Sequence, residues 1–439
     1  MSSSFFDDQV RLKLDGHEVP IVSRYTVLCG MMGVPAAFSL TVGHGGIFRD
    51  LASAFPPETP FEMYVGDKLV QTGELDSIEA AEQATEARLG GRDMLRRLVD
   101  GQIDSEQTFS ESTYLALTLA ALKTVGLGDS TVFSDNAANL AAVTGKEVIQ
   151  LAPAASGADD AGSATVDASP ATLAVYKAIK AKCGRTWFEF LAEQNRRAGL
   201  FLWADHSGNF VLSRPNGNKD PIYRIIRKQT GQADGSSVLG RPSFRHDITQ
   251  RYTECVVLGR GGGGKEGRHR FLGSFVDDEM VAILNPNPAD RANGGTRKKR
   301  LVIEDDHVRT IAQANLLARR KIAESRRNGW KLSYIVSGHT VPALKGGGRI
   351  PWTQDTVLQV VDDEFGIEGP MYIESVQYEA QMQKTTRLNL MRCEDLVFAE
   401  EPDQQPRHAL AQKPGVVPPK SQNVKIHLDN NDFWHVVPT

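Results

Sequence analysis

Short runs of alternating apolar and polar residues fill much of the first hundred positions and predict β-strands. Residues 61–65 and 68–73 are two such runs around Gly66-Asp67. Because glycine accepts the positive φ of a tight turn, we expect a hairpin there. Residues 38–42 add another strand, and residues 94–99 place their apolar side chains on one helical face. Residues 1–100 therefore read as a small β-barrel or sandwich closed by a short helix.

The middle of the chain mixes helical and strand patterns. Thr186 and Glu189 are spaced as a capping box at a helix start, and two strands around 205–209 follow, which predicts an αββ unit. Residues 110–124 predict an Ala/Leu-rich helix. Residues 306–327 predict a longer helix with a stripe of Val308, Ile311, Ala314, Ala318 and Ile322. Strands return between 357 and 392.

Two segments have a composition unlike the rest. Residues 134–175 contain no Phe, Tyr or Trp, so this stretch is expected to be a long flexible loop. Residues 399–439 hold six of the 21 prolines and are predicted to be an extended linker. The extension ends in an aromatic cluster that includes Phe433 and Trp434. That cluster fits a docking peptide and equally fits a frayed terminus.

Composition narrows the class of protein. The 439 residues are 41% apolar and 24% charged with a formal charge of -4, which argues against a globally basic nucleic-acid binder. No secretory signal and no bilayer-spanning run is expected. The four cysteines are far apart, which predicts isolated buried thiols in a reducing compartment.

Motifs for catalysis are weak. Residues 259–265 match the spacing of a phosphate-binding loop, but Glu266 stands where Ser or Thr is required, so we interpret the segment as a glycine-rich strand connection. No metal-binding His pair and no nucleophile elbow occurs. The carboxylates at 362–364 are expected in a turn rather than in a glycosidase site. We therefore predict no catalytic residue, no cofactor site and no metal site.

Four collinear segments carry a resemblance. The strand containing Phe38 is the first. Gly73 and Asp76, followed by Gly91-Arg92-Asp93 and Leu98-Val99-Asp100, look like a "G-x-[IL]-D … G-R-D … L-V-D" signature. The helix and hairpin of 186–214 are the third. Asp247, Arg251 and Tyr252 look like "D-x-[ST]-x-R-[YF]-[ST]" at the entry to a later barrel strand. Over residues 5–398 the chain resembles baseplate hub proteins of contractile-tailed phages, of the phage Mu protein P type, and more distantly the hub part of VgrG.

The resemblance implies an α+β, β-rich fold with two tube-protein-like β-barrel domains, smaller α/β domains and assembly into a trimeric ring. It assigns a first barrel to 1–100, helical and αββ insert domains to 101–242 with the flexible stretch 134–175, and a second barrel to 243–398. The second barrel would carry the inserted helix 306–327, and a Pro-rich extension would occupy 399–439.

The function implied is a structural, non-enzymatic baseplate hub that joins a sixfold tail tube to a threefold spike. Its expected partners are two further copies, the central spike, the tube or tube-initiator protein, baseplate wedge proteins and the tape-measure protein. DNA would pass through the channel only in transit, and no membrane insertion is expected. The expected location is the virion tail baseplate, assembled in the host cytoplasm.

Two alternatives stay open at this stage. A peptidoglycan-degrading tail protein would need a domain with a carboxylate pair or metal motif. A hub of a tailocin or of a secretion-system spike would use the same fold.

Overall fold

A computed structural model gives the architecture. It describes residues 8–19, 24–31, 35–43, 52–80, 86–109, 114–133, 179–197, 200–227, 238–259, 271–305, 308, 311–344 and 348–396, and the backbone of 425–428 and 434–437. The predicted flexible stretch 134–175 and the glycine-rich residues 260–265 lie outside the described residues.

Strands make up about half of the described chain. They are β1 (Val10–Leu14), β2 (His17–Val19), β3 (Arg24–Gly30), β4 (Ala37–Gly43), β5 (Pro60–Val65), β6 (Lys68–Ala80), β7 (Glu86–Asp93), β8 (Gln107–Phe109), β9 (Val132–Phe133), β10 (Ile179–Ala181), β11 (Phe201–Ala204), β12 (Phe210–Ser213), β13 (Tyr223–Arg227), β14 (Ser243–His246), β15 (Glu254–Gly259), β16 (Phe271–Val276), β17 (Arg300–Asp305), β18 (Trp330–Ser337), β19 (Thr340–Pro342), β20 (Arg349–Pro351), β21 (Thr356–Asp362), β22 (Ile367–Ala380), β23 (Lys384–Arg392), β24 (Lys425–Leu428) and β25 (Trp434–Val437).

Beside the strands, five α-helices, a helical turn at residues 52–54 and two 3₁₀ turns are described. The helices are α1 (Arg96–Asp100), α2 (Tyr114–Thr124), α3 (Trp187–Arg197), α4 (Asp278–Leu284) and α5 (Ile311–Gly329), and the 3₁₀ turns are Pro288–Gly294 and Cys393–Leu396. The β-rich fold class predicted from the sequence is confirmed. The barrel count and the trimeric ring stay predictions.

One large sheet runs through both halves of the chain. Its order is β14-β18-β23-β22-β3-β4-β7-β6-β5-β1-β2, with β21 pairing both β22 and β13. Strand β22 is the junction, because its first half pairs β21 while its second half, from Ser375 to Ala380, pairs β3. The register against β23 shifts between Ile373 and Ser375, where this change of neighbour occurs. The predicted hairpin at Gly66, whose φ is 59°, is confirmed as β5–β6.

A second layer consists of the three-stranded sheet β16-β15-β17 covered by α5. Alternate residues of β15, including Cys255 and Val257, pack with Ala314, Ala318 and Ile322 of the helix in a small core. Strand β15 follows the Asp247–Tyr252 motif, but it belongs to this sheet rather than to the large one.

The predicted helix 306–327 is displaced. It occupies Ile311–Gly329, because parallel pairing with β15 continues β17 as far as Asp305. Ile311, expected in the buried stripe, is 58% exposed at the first position of the helix.

The predicted αββ unit is confirmed as α3, β11 and β12. The amide of Glu189 donates to Thr186 Oγ1 at 3.1 Å, and the amide of Thr186 donates to the Glu189 carboxylate at 3.4 Å, which is the reciprocal capping box. Trp187 and Phe190 pack with Phe109 in a second hydrophobic core.

Backbone contacts divide the chain into two compact units, residues 1–400 and 401–439. The second unit contains the antiparallel hairpin β24–β25, in which Lys425 pairs with Val437. The expectation of a purely extended linker is therefore wrong at these eight residues. Within the described ranges, none of the helices has both the length and the apolarity that crossing a bilayer requires.

Candidate functional site

The first signature contains a cluster built on Arg92. Pairing of β6 with β7 shifts register between Leu75 and Ser77, so that Asp76 occupies a bulge. Arg92 Nε and Nη2 lie 2.6 and 3.0 Å from the two oxygens of Asp76. The same guanidinium donates to both oxygens of Asp100 at 2.8 and 2.6 Å. Arg92 therefore bridges two aspartates of the signature, Asp76 and Asp100.

Two further arginines extend this cluster. Arg96 donates to Glu74 at 2.9 Å and to Asp76 at 2.6 Å, and Arg97 also pairs with Glu74. Glu74 is buried, so its charge is compensated by two guanidinium groups rather than by water. Hydrogen bonds from Arg92 hold the pKa of Asp100 below its usual range. We call Arg92, Arg96, Arg97, Glu58, Glu74, Asp76 and Asp100 the Arg92 cluster; it fixes α1 on β6 and β7.

The glycines of this signature allow close approach of two strands. A Cβ on Gly91 would lie 2.6 Å from Phe38 Cε1 and 2.9 Å from the carbonyl oxygen of Glu74. A Cβ on Gly73 would lie 2.1 Å from the carbonyl oxygen of Arg92. Phe38 itself is buried and meets Phe61 edge to face at 4.6 Å between ring centroids. Both glycines and Phe38 are therefore packing residues.

Asp93 ends β7 with a buried carboxylate. Its two oxygens accept the backbone amides of Ala36 at 2.9 Å and Leu95 at 3.0 Å. Burial raises the pKa of Asp93 to about 7, against the lowering effect of those two hydrogen bonds and of the Arg92 charge. Asp93 therefore connects the entry of β4 to the start of α1.

The second motif begins with a turn at Asp247. Its carboxylate accepts the amide of Thr249 at 2.8 Å and Arg245 Nη2 at 2.5 Å. Hydrogen bonds from Thr249 and Arg245 lower the pKa of Asp247. Its amide donates to Gly329 O at 2.7 Å, so the turn is attached to the end of α5.

Arg251 is the centre of a second charged cluster. The side chain is fully buried, and its Nη2 lies 3.0 Å from both Asp277 Oδ2 and Glu279 Oε2. Asp277 is also the N-cap of α4 and accepts the amide of Met280 at 3.2 Å. Arg251 therefore connects the motif turn to the start of α4.

Two more arginines complete this cluster. Arg326 of α5 donates to Asp277 at 2.6 Å, and Arg392 of β23 donates to Glu279 at 3.2 and 3.1 Å and to Asp395 at 2.9 Å. Burial alone raises the pKa of Glu279, but hydrogen bonds from Arg251 and Arg392 outweigh it and lower the pKa to about 2. We call Arg251, Arg326, Arg392, Asp277, Glu279 and Asp395 the Arg251 cluster; it ties the three-stranded sheet to the large sheet.

Tyr252 lies at the edge of the small core. Its ring is half-buried and receives Lys299 Nζ at 5.3 Å from the centroid. Of the two proposed docking residues, Phe433 lies outside the described residues. Trp434 begins β25, and only its backbone is described.

One cluster was not found by sequence reasoning. The Asp8 carboxylate accepts the backbone amides of His339 and Thr340, the latter at 2.9 Å. The buried His339 ring lies 2.7 Å from Tyr25 Oη and 2.9 Å from Thr386 Oγ1. Burial lowers the pKa of His339 to about 4, so the ring is neutral at pH 7. No local motif signals a contact between residues more than 300 positions apart.

A cleft of about 1240 Å³ opens between α3 and the small sheet with α5. Phe188 and Ala192 line one wall, and Ile303, Glu304 and Leu317 line the other.

Among the residues the structure describes, no group of three or more His, Cys, Asp or Glu side chains is arranged to hold a metal ion. All four cysteines are free, but Cys183 is exposed, so the expectation of buried thiols is wrong there.

Comparison with known proteins finds similarity in fold rather than in sequence. No protein-family model and no curated protein matches the sequence. A tail protein of Neisseria meningitidis MC58 matches with a TM-score of 0.62 at 17% identity, covering 87% of this chain and 95% of that one. The 43 kDa tail protein of prophage MuSo2 from Shewanella oneidensis matches with a TM-score of 0.60 at 17% identity, covering 88% and 99%.

A component of the type VI secretion system of E. coli matches at a TM-score of 0.46 and 9% identity, over 87% of this chain and 76% of that one. The chain shares the fold of these two tail proteins over 95% and 99% of their lengths. The resemblance predicted from the sequence is confirmed as a likeness of fold.

Proposed function

We propose that this chain is a structural hub of a contractile phage-tail baseplate. Three copies form a ring that joins the sixfold tail tube to the threefold central spike and encloses the channel for DNA. The observation that carries the proposal is the likeness to two tail proteins, which extends over 95% and 99% of their lengths. A match across whole chains favours a shared role in the particle over a shared local module.

The two charged clusters support a load-carrying role. In each, three arginines face several carboxylates, and the contacts cross between secondary-structure elements. Ion pairs of this kind fix geometry, because breaking one partner leaves a buried charge uncompensated. Such fixed junctions between layers suit a ring that transmits force during tail contraction.

The ring is tested by solution mass. Light scattering behind size exclusion should give about 144 kDa, three copies of the 48.0 kDa chain, and negative-stain images should show threefold rings with a central hole. A mass that stays at 48.0 kDa at every concentration, with and without the spike protein of the same tail, would contradict the trimer.

Location is tested separately. Antibody labelling of intact particles should mark the baseplate end of the tail, and deletion of the gene should yield particles without an attached spike. Labelling elsewhere on the virion argues against a hub and leaves the fold likeness unaffected. Clearing of peptidoglycan by the purified chain in a zymogram would favour the lytic alternative instead.

A further inference from the structure

Lys219 and Asp355 form a buried ion pair near the start of two neighbouring strands. Lys219 Nζ lies 2.6 Å from Asp355 Oδ1, and the two side chains are 8% and 14% exposed. The same ammonium group donates to the backbone oxygen of Asp355 at 2.7 Å. Asp355 directly precedes β21, and Lys219 lies shortly before β13, which pairs with β21 in parallel register. The contact therefore joins two segments that are 136 residues apart in the chain.

Burial distinguishes this ion pair from the two other lysine–carboxylate pairs between described residues. Lys321 and its partner Glu324 have side chains that are 38% and 37% exposed. Lys331 lies 3.3 Å from Glu374 and is 45% exposed. Water solvates the charges of those two pairs, whereas burial removes that solvation from the first pair. Only the first pair would therefore lose two desolvated charges by becoming neutral.

A buried phenol donates a hydrogen bond to the Asp355 carboxylate. Tyr372 is fully buried, and its Oη donates to Asp355 Oδ1 at 2.6 Å. Burial raises the pKa of Tyr372 well above its ordinary value, so the phenol keeps its proton. Met31 Sδ is also 3.0 Å from this Oη, but a thioether is the weaker acceptor. Oδ1 therefore has a fixed donor, which is the arrangement that stabilises negative charge on a carbonyl oxygen when a nucleophile adds to its carbon.

The amine nitrogen lies within reach of the carboxyl carbon. A carbon–oxygen bond is about 1.2 Å long, so Lys219 Nζ is at most about 3.8 Å from Asp355 Cγ. Reacting groups that are positioned about 3–3.5 Å apart reach effective concentrations of about 10⁵–10⁸ M. The low exposure of both side chains also limits the access of water, which would hydrolyse an amide between them. Proximity, burial and a donor on Oδ1 therefore coincide at this ion pair.

We propose that Lys219 and Asp355 condense to an isopeptide bond within the folded chain. In the ion pair, one proton moves from Nζ to the carboxylate, which gives a neutral amine and a carboxylic acid. The amine lone pair adds to Cγ, and Tyr372 stabilises the negative charge on Oδ1. Oδ2 then leaves as water with two protons that came from Nζ. The Nζ–Cγ bond forms, one Cγ–O bond breaks, and nothing is oxidised or reduced.

The bond attaches an edge strand to its neighbour. In the sheets that the structure describes, β13 pairs with β21 alone. A covalent tie between residues so far apart in the chain restricts the unfolded state, as a disulfide does. Such a tie goes beyond the proposed hub function and does not depend on it.

The intact mass of the purified chain tests the bond. Wild type, corrected for any loss of Met1, should be lighter than its sequence mass by one water molecule. Lys219→Arg retains the charge but forms no such amide, so it should have its full sequence mass. Lys331→Arg, the same change in an exposed pair, is the matched control and should lose water as wild type does. Full sequence mass for wild type would mean an ordinary ion pair and overturns the proposal.

Peptide mapping locates the bond. Trypsin does not cleave after a lysine whose side chain is an amide, and it cleaves poorly between Arg214 and Pro215. Wild type should therefore give residues 198–224 joined to residues 350–384. Separate peptides 198–219 and 350–384 overturn the proposal, even if the chain has lost water elsewhere.

Tyr372→Phe tests the donor on Oδ1. The variant keeps the ring and loses the hydroxyl group, so condensation should be slower by about 10²-fold, the effect of removing one donor to an oxyanion. The readout is the fraction of pulse-labelled chains that have lost water at intervals after synthesis, with circular dichroism to compare the folds. Equal fractions for wild type and variant at every interval, with both incomplete at the first, overturn the role of Tyr372.

Discussion

Arg251 and Asp277 are both fully buried, and Nη2 of the arginine lies 3.0 Å from Oδ2 of the aspartate. The pair connects the turn at the start of the second sequence motif to the N-cap of α4. Arg326 donates to the other oxygen of Asp277, so the carboxylate has a guanidinium on each side. This geometry makes Arg251 a junction residue, which is a physical reason for an arginine in the motif.

Replacing Arg251 by methionine should destabilise the chain strongly. The change leaves Asp277 and Glu279 with one guanidinium each, and removing one partner of a buried pair costs about 3–5 kcal/mol. Urea denaturation followed by tryptophan fluorescence measures the free energy of unfolding. We expect Arg251→Met to lower the urea midpoint without making the protein self-associate, because the side chain at this position is fully buried.

Arg245→Met is the matched control, because Arg245 also pairs with a motif aspartate but is 71% exposed. An exposed pair contributes about 0–1 kcal/mol, so the control should unfold close to wild type. Equal urea midpoints for Arg251→Met and Arg245→Met would show that the Arg251 cluster does not stabilise the fold.

Gly91→Ala should destabilise by about 1–3 kcal/mol, the usual cost of overpacking a core. The new methyl group would lie 2.6 Å from a ring carbon of Phe38 and 2.9 Å from a backbone oxygen. Its neighbour Gly90 is the control, since a Cβ there meets Ser77 Oγ at 3.1 Å, and that hydroxyl is able to rotate away. Phe38→Leu in the Gly91→Ala background should recover part of the loss. Unfolding midpoints of the four proteins form the test, and an Ala at 90 that costs more than one at 91 would contradict it.

The parts of the fold that sequence predicted are those set by neighbours along the chain. The capping box at Thr186 and Glu189 and the turn at Gly66 depend on residues a few positions apart, and both are confirmed. The sequence shows the signature residues Asp76, Arg92 and Asp100 only as a pattern; the ion pair between Arg92 and Asp76 depends on the bulge in β6, which composition does not reveal.

Contacts between residues far apart in the sequence could not be predicted from it. Asp8 binds backbone amides at 339 and 340, and backbone groups carry no sequence signal. The start of α5 was misplaced because strand pairing with β15 held Glu304 and Asp305 in β17, against a local pattern of acidic residues that favours a helix start.

His339 should make stability rise with pH below neutrality. Burial lowers its pKa to about 4 in the folded chain, while the unfolded chain has the ordinary value near 6.5. Between these values the unfolded state binds more protons, so stability is lost as pH falls from about 6.5 to about 4. His339→Gln lacks this titration, and the stability difference between wild type and variant should shrink by up to about 3 kcal/mol over that window. Urea midpoints at pH 4.5, 5.5 and 7 measure it, and a constant difference would contradict a neutral buried ring.

Asp93 should make stability fall as pH rises, the opposite of the effect of His339. Its pKa in the folded chain is raised to about 7 by burial, above its ordinary value of 3.8, so the folded state binds the extra proton between those values. Stability contributed by this group is therefore present near pH 4 and lost as pH rises to about 7, after which it is constant.

In Asp93→Asn one of the two backbone amides, that of Ala36 or Leu95, loses its acceptor, which costs about 1–3 kcal/mol at any pH. Asn does not titrate, so the stability advantage of wild type over the variant should be larger at pH 4.5 than at pH 8, by up to about 3 kcal/mol. Asp67→Asn, the same change in an exposed turn, is measured beside it as the control for loss of a carboxylate. A wild-type advantage that grows with pH instead would mean that Asp93 is ionised when folded, and that the two amide hydrogen bonds outweigh its burial.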